Sequence, residues 1–290
     1  MAMAMEQPLS EEQCRQFEEL GFTMVDGPWM DGSAEGEAFL QRCEATFDRL
    51  TAPEAERKVD KEEDEGFIEM ISHPFFESVA KQMLRSEHVH IVEDGPHHRP
   101  AAEAPAVDDD GFDAHAAWKG GAHIDLQVTT SDFNATPRRD MLALWFWIVD
   151  VEPETAAMRI LPRSHRAIHE HWEKTLQPER RSLLPRVHGL FPSPSKGYPS
   201  YPEYIPTPPD FPYTDMEPTP VVAKRGQAQV FTQSMLHSSW RNTDVRARKG
   251  FIISWMAKDV PCGFTSDRCE GLRKHFPRLA KSLKAWQPGR

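Results

Sequence analysis

A series of short apolar segments in the second half of the chain constrains its fold most strongly. The longest, residues 141–151 (MLALWFWIVDV), is almost continuously apolar, which is typical of a strand buried on both faces. Further strand candidates cover residues 158–161, 221–224, 228–232 and 251–256. Strands that follow one another with loops and few helices between them indicate a β-barrel or a β-sandwich.

The N-terminal part predicts helices beside this β-rich region. Ser10 and Gln13 have the three-residue spacing of a helix capping box, and Gly21 marks the end of that helix. A short strand candidate at residues 22–25 follows, and a second helix is predicted over residues 35–50. The sequence therefore predicts a mainly β fold with flanking helices.

Two further segments, residues 88–100 and 190–220, have a less regular pattern of apolar residues. Residues 88–92 alternate and predict one more strand, whereas His97 and His98, close to Pro100, are interpreted as loop residues. Residues 190–220 are rich in proline with interleaved aromatic residues, and a loop of this length is a lid, a binding loop or disordered. The aromatic residues favour a packed lid.

Composition restricts the class of protein. The 290 residues carry a formal charge of −11, from 34 Lys and Arg against 45 Asp and Glu, which argues against binding to a phosphate backbone. The four cysteines form no C-x-x-C pair and are interpreted as reduced thiols of a cytoplasmic protein. The longest apolar run is too short to cross a membrane. We expect one domain over residues 1–290, and the sequence leaves the oligomeric state open.

The motif His123-Ile124-Asp125 is the strongest chemical signal. On a strand, the side chains of residues i and i+2 point to the same face, so His123 and Asp125 can aim a nitrogen and an oxygen at one point. One further histidine would complete the facial triad of non-haem Fe(II) oxygenases. H-x-D alone is weak in a chain with 13 histidines.

Residues farther along the chain strengthen this interpretation. His237 follows the strand candidate at 228–232, and Arg248 stands just before the one at 251–256. An arginine near a metal can bind a dicarboxylate co-substrate through two parallel hydrogen bonds.

Four pieces of sequence carry a family resemblance: LSEEQCRQFEELGFTMVDG near the N-terminus, HID at 123–125, LPRSH at 161–165, and RGQAQVFTQSMLHSSWRN at 225–242 with Arg248 beyond. Together they resemble the phytanoyl-CoA dioxygenase family of Fe(II)/2-oxoglutarate oxygenases. The resemblance implies a double-stranded β-helix, a jelly-roll or cupin-like barrel with helices outside.

The same resemblance implies roles for individual residues. His123, Asp125 and His237 would bind iron, and Arg248 would hold the distal carboxylate of 2-oxoglutarate. Trp145 and Ser239 match further co-substrate contacts of the family and are candidate site residues as well. The implied reaction consumes dioxygen and 2-oxoglutarate, releases succinate and carbon dioxide, and hydroxylates a small organic molecule. His165, in the LPRSH piece, is interpreted as structural.

Two other functions remain open from the sequence. A cupin-type isomerase or epimerase would use the same barrel without 2-oxoglutarate, because a fold does not determine a function. A degenerate barrel that acts as a binding protein is the other alternative, and the intact triad argues against it. The sequence does not identify the substrate.

Overall fold

The computed structural model describes residues 7–53, 61, 64–103, 118, 121–126, 128–175, 216–239 and 241–258. Of the lid predicted over residues 190–220, only the last five residues belong to this set, so its conformation lies outside the described residues.

Most of the described helices lie in the first half of the chain. They are α1 (Glu11–Leu20), a 3₁₀ turn (Pro28–Met30), α2 (Ala34–Thr51), α3 (Glu65–Ile71), α4 (Pro74–Leu84), α5 (Thr130–Asn134) and α6 (Ser164–Thr175). The predicted capping box of α1 is confirmed: Ser10 Oγ accepts from the Gln13 N–H at 3.2 Å, and the Gln13 side chain accepts from the Ser10 N–H at 2.8 Å. Gly21 ends the helix in the left-handed conformation, with φ 88°.

The strands form two antiparallel sheets. They are β1 (Phe22–Asp26), β2 (Val89–Arg99), β3 (Leu142–Trp147), β4 (Met158–Ile160), β5 (Thr219–Pro220), β6 (Gln227–Thr232), β7 (His237–Ser239) and β8 (Arg248–Ala257). The larger sheet has the order β1-β6-β3-β8-β2, and the smaller has the order β5-β4-β7.

Strand β3 lies at the centre of the larger sheet and is buried on both faces, as its continuous apolar sequence predicts. Alternate residues enter different apolar clusters. Leu142, Leu144 and Phe146 pack with the apolar faces of helices α1–α4. Ala143, Trp145 and Trp147 point to the opposite face, where they pack with β4 and the segment around Val221. The second face is therefore the interior between the two sheets.

Several expectations about elements were wrong. Residues 221–224 do not form a strand: the strand is Thr219–Pro220, and Ala223 only forms an isolated bridge with Val151. Helices α3, α4, α5 and α6 were not predicted. His97 and His98 belong to β2, which is longer than the predicted segment 88–92 because it pairs with β8 along its whole length. In the part of the chain that the structure describes, no helix has the length and apolar character needed to span a bilayer.

Candidate metal centre

Three side chains that the sequence singled out converge on one point. The backbones of His123 and His237 form an isolated antiparallel bridge, with two N–H···O bonds of 3.0 Å between them. One potential ligand atom each from His123, Asp125 and His237 lies within 4.8 Å of the other two. His123 Nε2 is 3.5 Å from Asp125 Oδ1, and His237 Nε2 is 3.3 Å from Asp125 Oδ2. Ile124 turns away and is fully buried.

Backbone carbonyl groups set the orientation of both imidazoles. His123 Nδ1 lies 2.8 Å from the Gly121 carbonyl oxygen, and His237 Nδ1 lies 2.9 Å from that of Met235. A carbonyl oxygen only accepts, so each Nδ1 carries a proton, and each Nε2, on the side of Asp125, is the atom that can bind a metal when it is unprotonated. This is the arrangement in which histidine ligands are held in metal sites.

The electrostatics of the three groups are coupled. Burial and the neighbouring His237 ring lower the pKa of His123. Burial also acts to lower the pKa of His237, but the Asp125 carboxylate at hydrogen-bond distance outweighs it, and the net effect raises this pKa. The Asp125 carboxylate therefore favours positive charge at the position between the three side chains where a cation would bind.

The triad opens into a cavity of about 450 Å³. Trp145 and Ser239, both predicted as site residues, line this cavity. The other residues of the wall are His97, Arg99, Gly121, Met158, Phe231, Ser238 and Ile252. Among the described residues, Trp145 Nε1 is a buried donor without a hydrogen-bond partner. The site therefore holds a metal-ligand set, a cation and an unused donor around one space.

Arg248 lies next to the cavity wall and not on its surface. It is fully buried, its Nη1 donates to the Ala156 carbonyl oxygen, and its Nη2 is 3.2 Å from His97 Nδ1. The guanidinium carbon lies 5.1 Å from the centre of the Trp145 ring, within cation–π range. Arg248 thus contacts two residues of the cavity wall, His97 and Trp145.

Of the wall residues that sequence reasoning missed, two carry titratable side chains: His97 and Arg99. Burial between Arg248 and Arg99 lowers the pKa of His97 to about 4, so its ring is neutral, and its Nδ1 accepts from Arg248. The Nε2 of His97 therefore carries the single proton of the ring. The signal available in the sequence was the spacing of His97 and Arg99, since residues two apart on a strand share a face.

The LPRSH piece supports the strand that carries His237. Ser164 Oγ accepts from the Leu236 N–H at 2.9 Å, and the Leu161 N–H donates to the Leu236 carbonyl oxygen at 2.9 Å. His165 is buried with Nε2 3.2 Å from the Glu18 carbonyl oxygen, and it is not part of the triad. These contacts agree with the structural interpretation of His165.

The sequence matches the family model described as phytanoyl-CoA dioxygenase (PhyH) over residues 4–250. The chain belongs to this family. This match covers most of the described residues, including the three members of the triad and Arg248. A search of curated proteins found no match.

Solved structures of related shape include several enzymes. The non-haem alpha-ketoglutarate-dependent carbocyclase SnoK from nogalamycin biosynthesis is 17% identical, with a TM-score of 0.54 over 91% of each chain. The epimerase SnoN in complex with Fe³⁺, alpha-ketoglutarate and nogalamycin RO is 15% identical, with a TM-score of 0.52 over 85% of this chain and 83% of SnoN. HygX from Streptomyces hygroscopicus, with nickel and 2-oxoglutarate bound, is 13% identical, with a TM-score of 0.51 over 87% and 88%.

At these identities the similarity concerns the fold. It confirms the predicted double-stranded β-helix, with antiparallel sheets enclosing the site and helices packed outside.

Proposed function

We propose that this protein is an Fe(II)- and 2-oxoglutarate-dependent oxygenase that hydroxylates a small organic molecule and releases succinate and carbon dioxide. One observation carries the proposal: two imidazole Nε2 atoms and one carboxylate converge within 4.8 Å, and both imidazoles are held in the tautomer that a metal requires.

The donor set fits iron. Two histidines and one carboxylate are the ligands of non-haem Fe(II) oxygenases, and they leave the remaining coordination positions for co-substrate and dioxygen. Bound iron would supply the activation of dioxygen. The chain itself would supply His123, Asp125 and His237 as ligands, and the wall of the cavity would exclude water from the reacting atoms.

The surroundings of the triad fit a keto-diacid. Arg99 lines the cavity, Arg248 lies behind the wall, and among the described residues neither guanidinium pairs with a carboxylate. Buried cations without an anionic partner are costly, and the carboxylates of 2-oxoglutarate would supply such a partner. We propose Arg248 as the anchor of the distal carboxylate, with Arg99, Trp145 and Ser239 as further contacts.

The test is 2-oxoglutarate turnover coupled to succinate release. We expect His123→Ala and Asp125→Ala to abolish turnover, because each removes a metal ligand. His88→Ala is the matched control, since His88 is an exposed histidine outside the triad. Turnover that persists in both ligand variants contradicts the proposal.

A second measurement separates this function from a cupin-type isomerase. Anaerobic addition of Fe(II) and 2-oxoglutarate should give a weak visible charge-transfer band, because the co-substrate binds the metal directly. An isomerase that needs no 2-oxoglutarate would show no such band, and Arg248→Ala would leave it active.

A further inference from the structure

A chain of buried polar side chains lies behind the metal centre. Asp140 Oδ2 is 2.5 Å from Thr232 Oγ1, Thr232 Oγ1 is 2.8 Å from Ser234 Oγ, and Ser234 Oγ is 2.5 Å from His169 Nε2. All four residues are at most 3% exposed. None of them lines the cavity or belongs to the triad, so the proposed reaction leaves these groups without a role.

The hydrogen bonds of this chain have one consistent direction. In its ionised form, Asp140 accepts at both oxygens, from the Met141 N–H at Oδ1 and from the Thr232 hydroxyl at Oδ2. With its proton donated to Asp140, Thr232 accepts from the Ser234 hydroxyl, and Ser234 in turn accepts from His169 Nε2–H. Burial lowers the pKa of His169 well below its ordinary value, which leaves the neutral ring with one proton to donate.

The two hydroxyl groups of this network stand where β6 turns towards β7: Thr232 is the last residue of β6, and Ser234 lies in the turn. Within this turn, the Gln233 carbonyl oxygen accepts from the backbone N–H of Asp125 at 2.8 Å and from that of Leu126 at 3.0 Å. The Met235 carbonyl oxygen accepts from His237 Nδ1. One turn therefore holds two of the three ligand residues through its carbonyl groups.

The polar chain restricts the conformation of that turn. Thr232 and Ser234 stand on either side of Gln233, and their side chains bond to each other, to Asp140 before β3 and to His169 on α6. A carboxyl group and an imidazole without access to water are expensive to bury, and apolar side chains of similar size would pack there at lower cost. A network in which every polar group is hydrogen-bonded restricts the atoms that it connects to a single geometry.

We propose that Asp140, Thr232, Ser234 and His169 form a positioning network that orients Asp125 and His237 for metal binding, acting through the carbonyl groups of Gln233 and Met235. The inference rests on the proposed function to the extent that the triad binds a divalent metal. It names positioning residues, because none of the four touches the metal site directly.

The test is a Co(II) titration followed by visible absorption, which reports both affinity and ligand geometry without turnover. Thr232→Val removes the central hydroxyl and keeps the shape of the side chain. Thr46→Val makes the same change at a buried threonine of α2 that accepts a hydrogen bond from Arg49. We expect Thr232→Val to weaken Co(II) binding about tenfold and to alter the spectrum, as loss of support for a ligand commonly does. Thr46→Val should change neither.

Two more variants keep the inference open to contradiction. Thr232→Ser restores the hydroxyl and should bind Co(II) within about twofold of the wild type. Ser234→Ala breaks the chain at the next position and replaces Thr232→Val if that variant does not fold. If Thr232→Val or Ser234→Ala loses stability while its Co(II) affinity and spectrum match the wild type, the network is only structural and the inference is overturned.

Failure of the proposed function gives a different result. Wild-type protein that takes up no Co(II) contradicts the metal site itself, whereas equal uptake by wild type and variants contradicts only the positioning network.

Discussion

Arg99 lies directly opposite Arg248 in the antiparallel pairing of β2 with β8. Two like charges at facing positions repel each other, and burial together with Arg99 lowers the pKa of Arg248 to about 9. The Nε atoms of both arginines are buried without a partner among the described residues. An anion in the cavity would relieve this unfavourable arrangement, and it is the reason for our proposal that the pair binds the co-substrate.

The first prediction concerns binding of 2-oxoglutarate. Arg248→Gln and Arg99→Gln should each lower its affinity for the Mn(II)-loaded protein at least about tenfold, equivalent to about 1.4 kcal/mol, because each removes a charge-assisted hydrogen bond. Anaerobic isothermal titration calorimetry measures the effect.

Arg246→Gln is the control for these two variants. Arg246 is exposed and pairs with Asp244 in the loop before β8, so its replacement should leave co-substrate binding unchanged. Equal affinity in the wild type and both inner variants would show that the facing arginines serve another purpose.

The strand pairing also explains why sequence reasoning missed Arg99. The register of β2 against β8 shifts between Ile91 and Glu93. Such a bulge moves all following residues to the other face of the strand. Val89 and Ile91 consequently pack in the helix-covered cluster, whereas His97 and Arg99, with the same odd numbering, line the cavity. The alternation of residues along β2 alone does not predict this shift, because the bulge arises from the pairing with β8.

Local signals were the reliable part of the sequence. The capping box at Ser10 and the apolar run of β3 depend on neighbouring residues, and both predict the observed elements. The triad was accessible for a similar reason, since His123 and Asp125 stand two residues apart. The expected regular strand is absent: His123 forms only an isolated bridge with His237, and Asp125 lies in a bend two residues later. Tertiary pairing, which no local pattern records, produces that bridge.

A second prediction follows from the coupling of metal binding to folding. A metal that binds the folded protein at about 100 times its Kd should raise the free energy of unfolding by about 2.7 kcal/mol. We expect Mn(II) to raise the Tm of the wild type and of His88→Ala, and to leave the Tm of His237→Ala unchanged. Differential scanning fluorimetry with and without a chelator measures the shift; a shift of full size in His237→Ala would place the metal elsewhere.

A third prediction concerns the pH dependence of stability. Burial, offset in part by hydrogen bonds from Thr232 and Met141 and by Arg138, raises the pKa of Asp140 to about 7. An unfolded chain has an aspartate pKa of about 3.9. Between these values the folded protein holds a proton that the unfolded chain has lost. The stability contributed by this group is therefore complete below about pH 4 and is lost as the pH rises to about 7.

Asp140→Asn removes this titration. The measured quantity is the free energy of unfolding of the wild type minus that of the variant. We expect this difference to be larger at about pH 5 than at about pH 8, by the order of 2 kcal/mol. Urea unfolding at both pH values measures it. Asp26→Asn, which alters an exposed carboxyl group of β1, is the control, and the same difference at both pH values for Asp140→Asn would contradict the assignment.

The last prediction tests how tightly the end of α1 is packed against the turn that holds the ligands. Gly21 has φ 88°, and a Cβ atom there would lie 2.7 Å from Nδ1 of the buried His165 and 3.1 Å from Sδ of Met235. Gly32 has a similar φ of 77°, but a Cβ atom there would meet nothing within 4 Å. Alanine at Gly32 should therefore cost only the left-handed backbone strain, about 1 kcal/mol. Alanine at Gly21 adds overpacking against buried side chains, so we expect a loss of about 3 kcal/mol in total. Urea midpoints compared at equal m-values give both numbers, and equal losses would show that His165 and Met235 move aside freely.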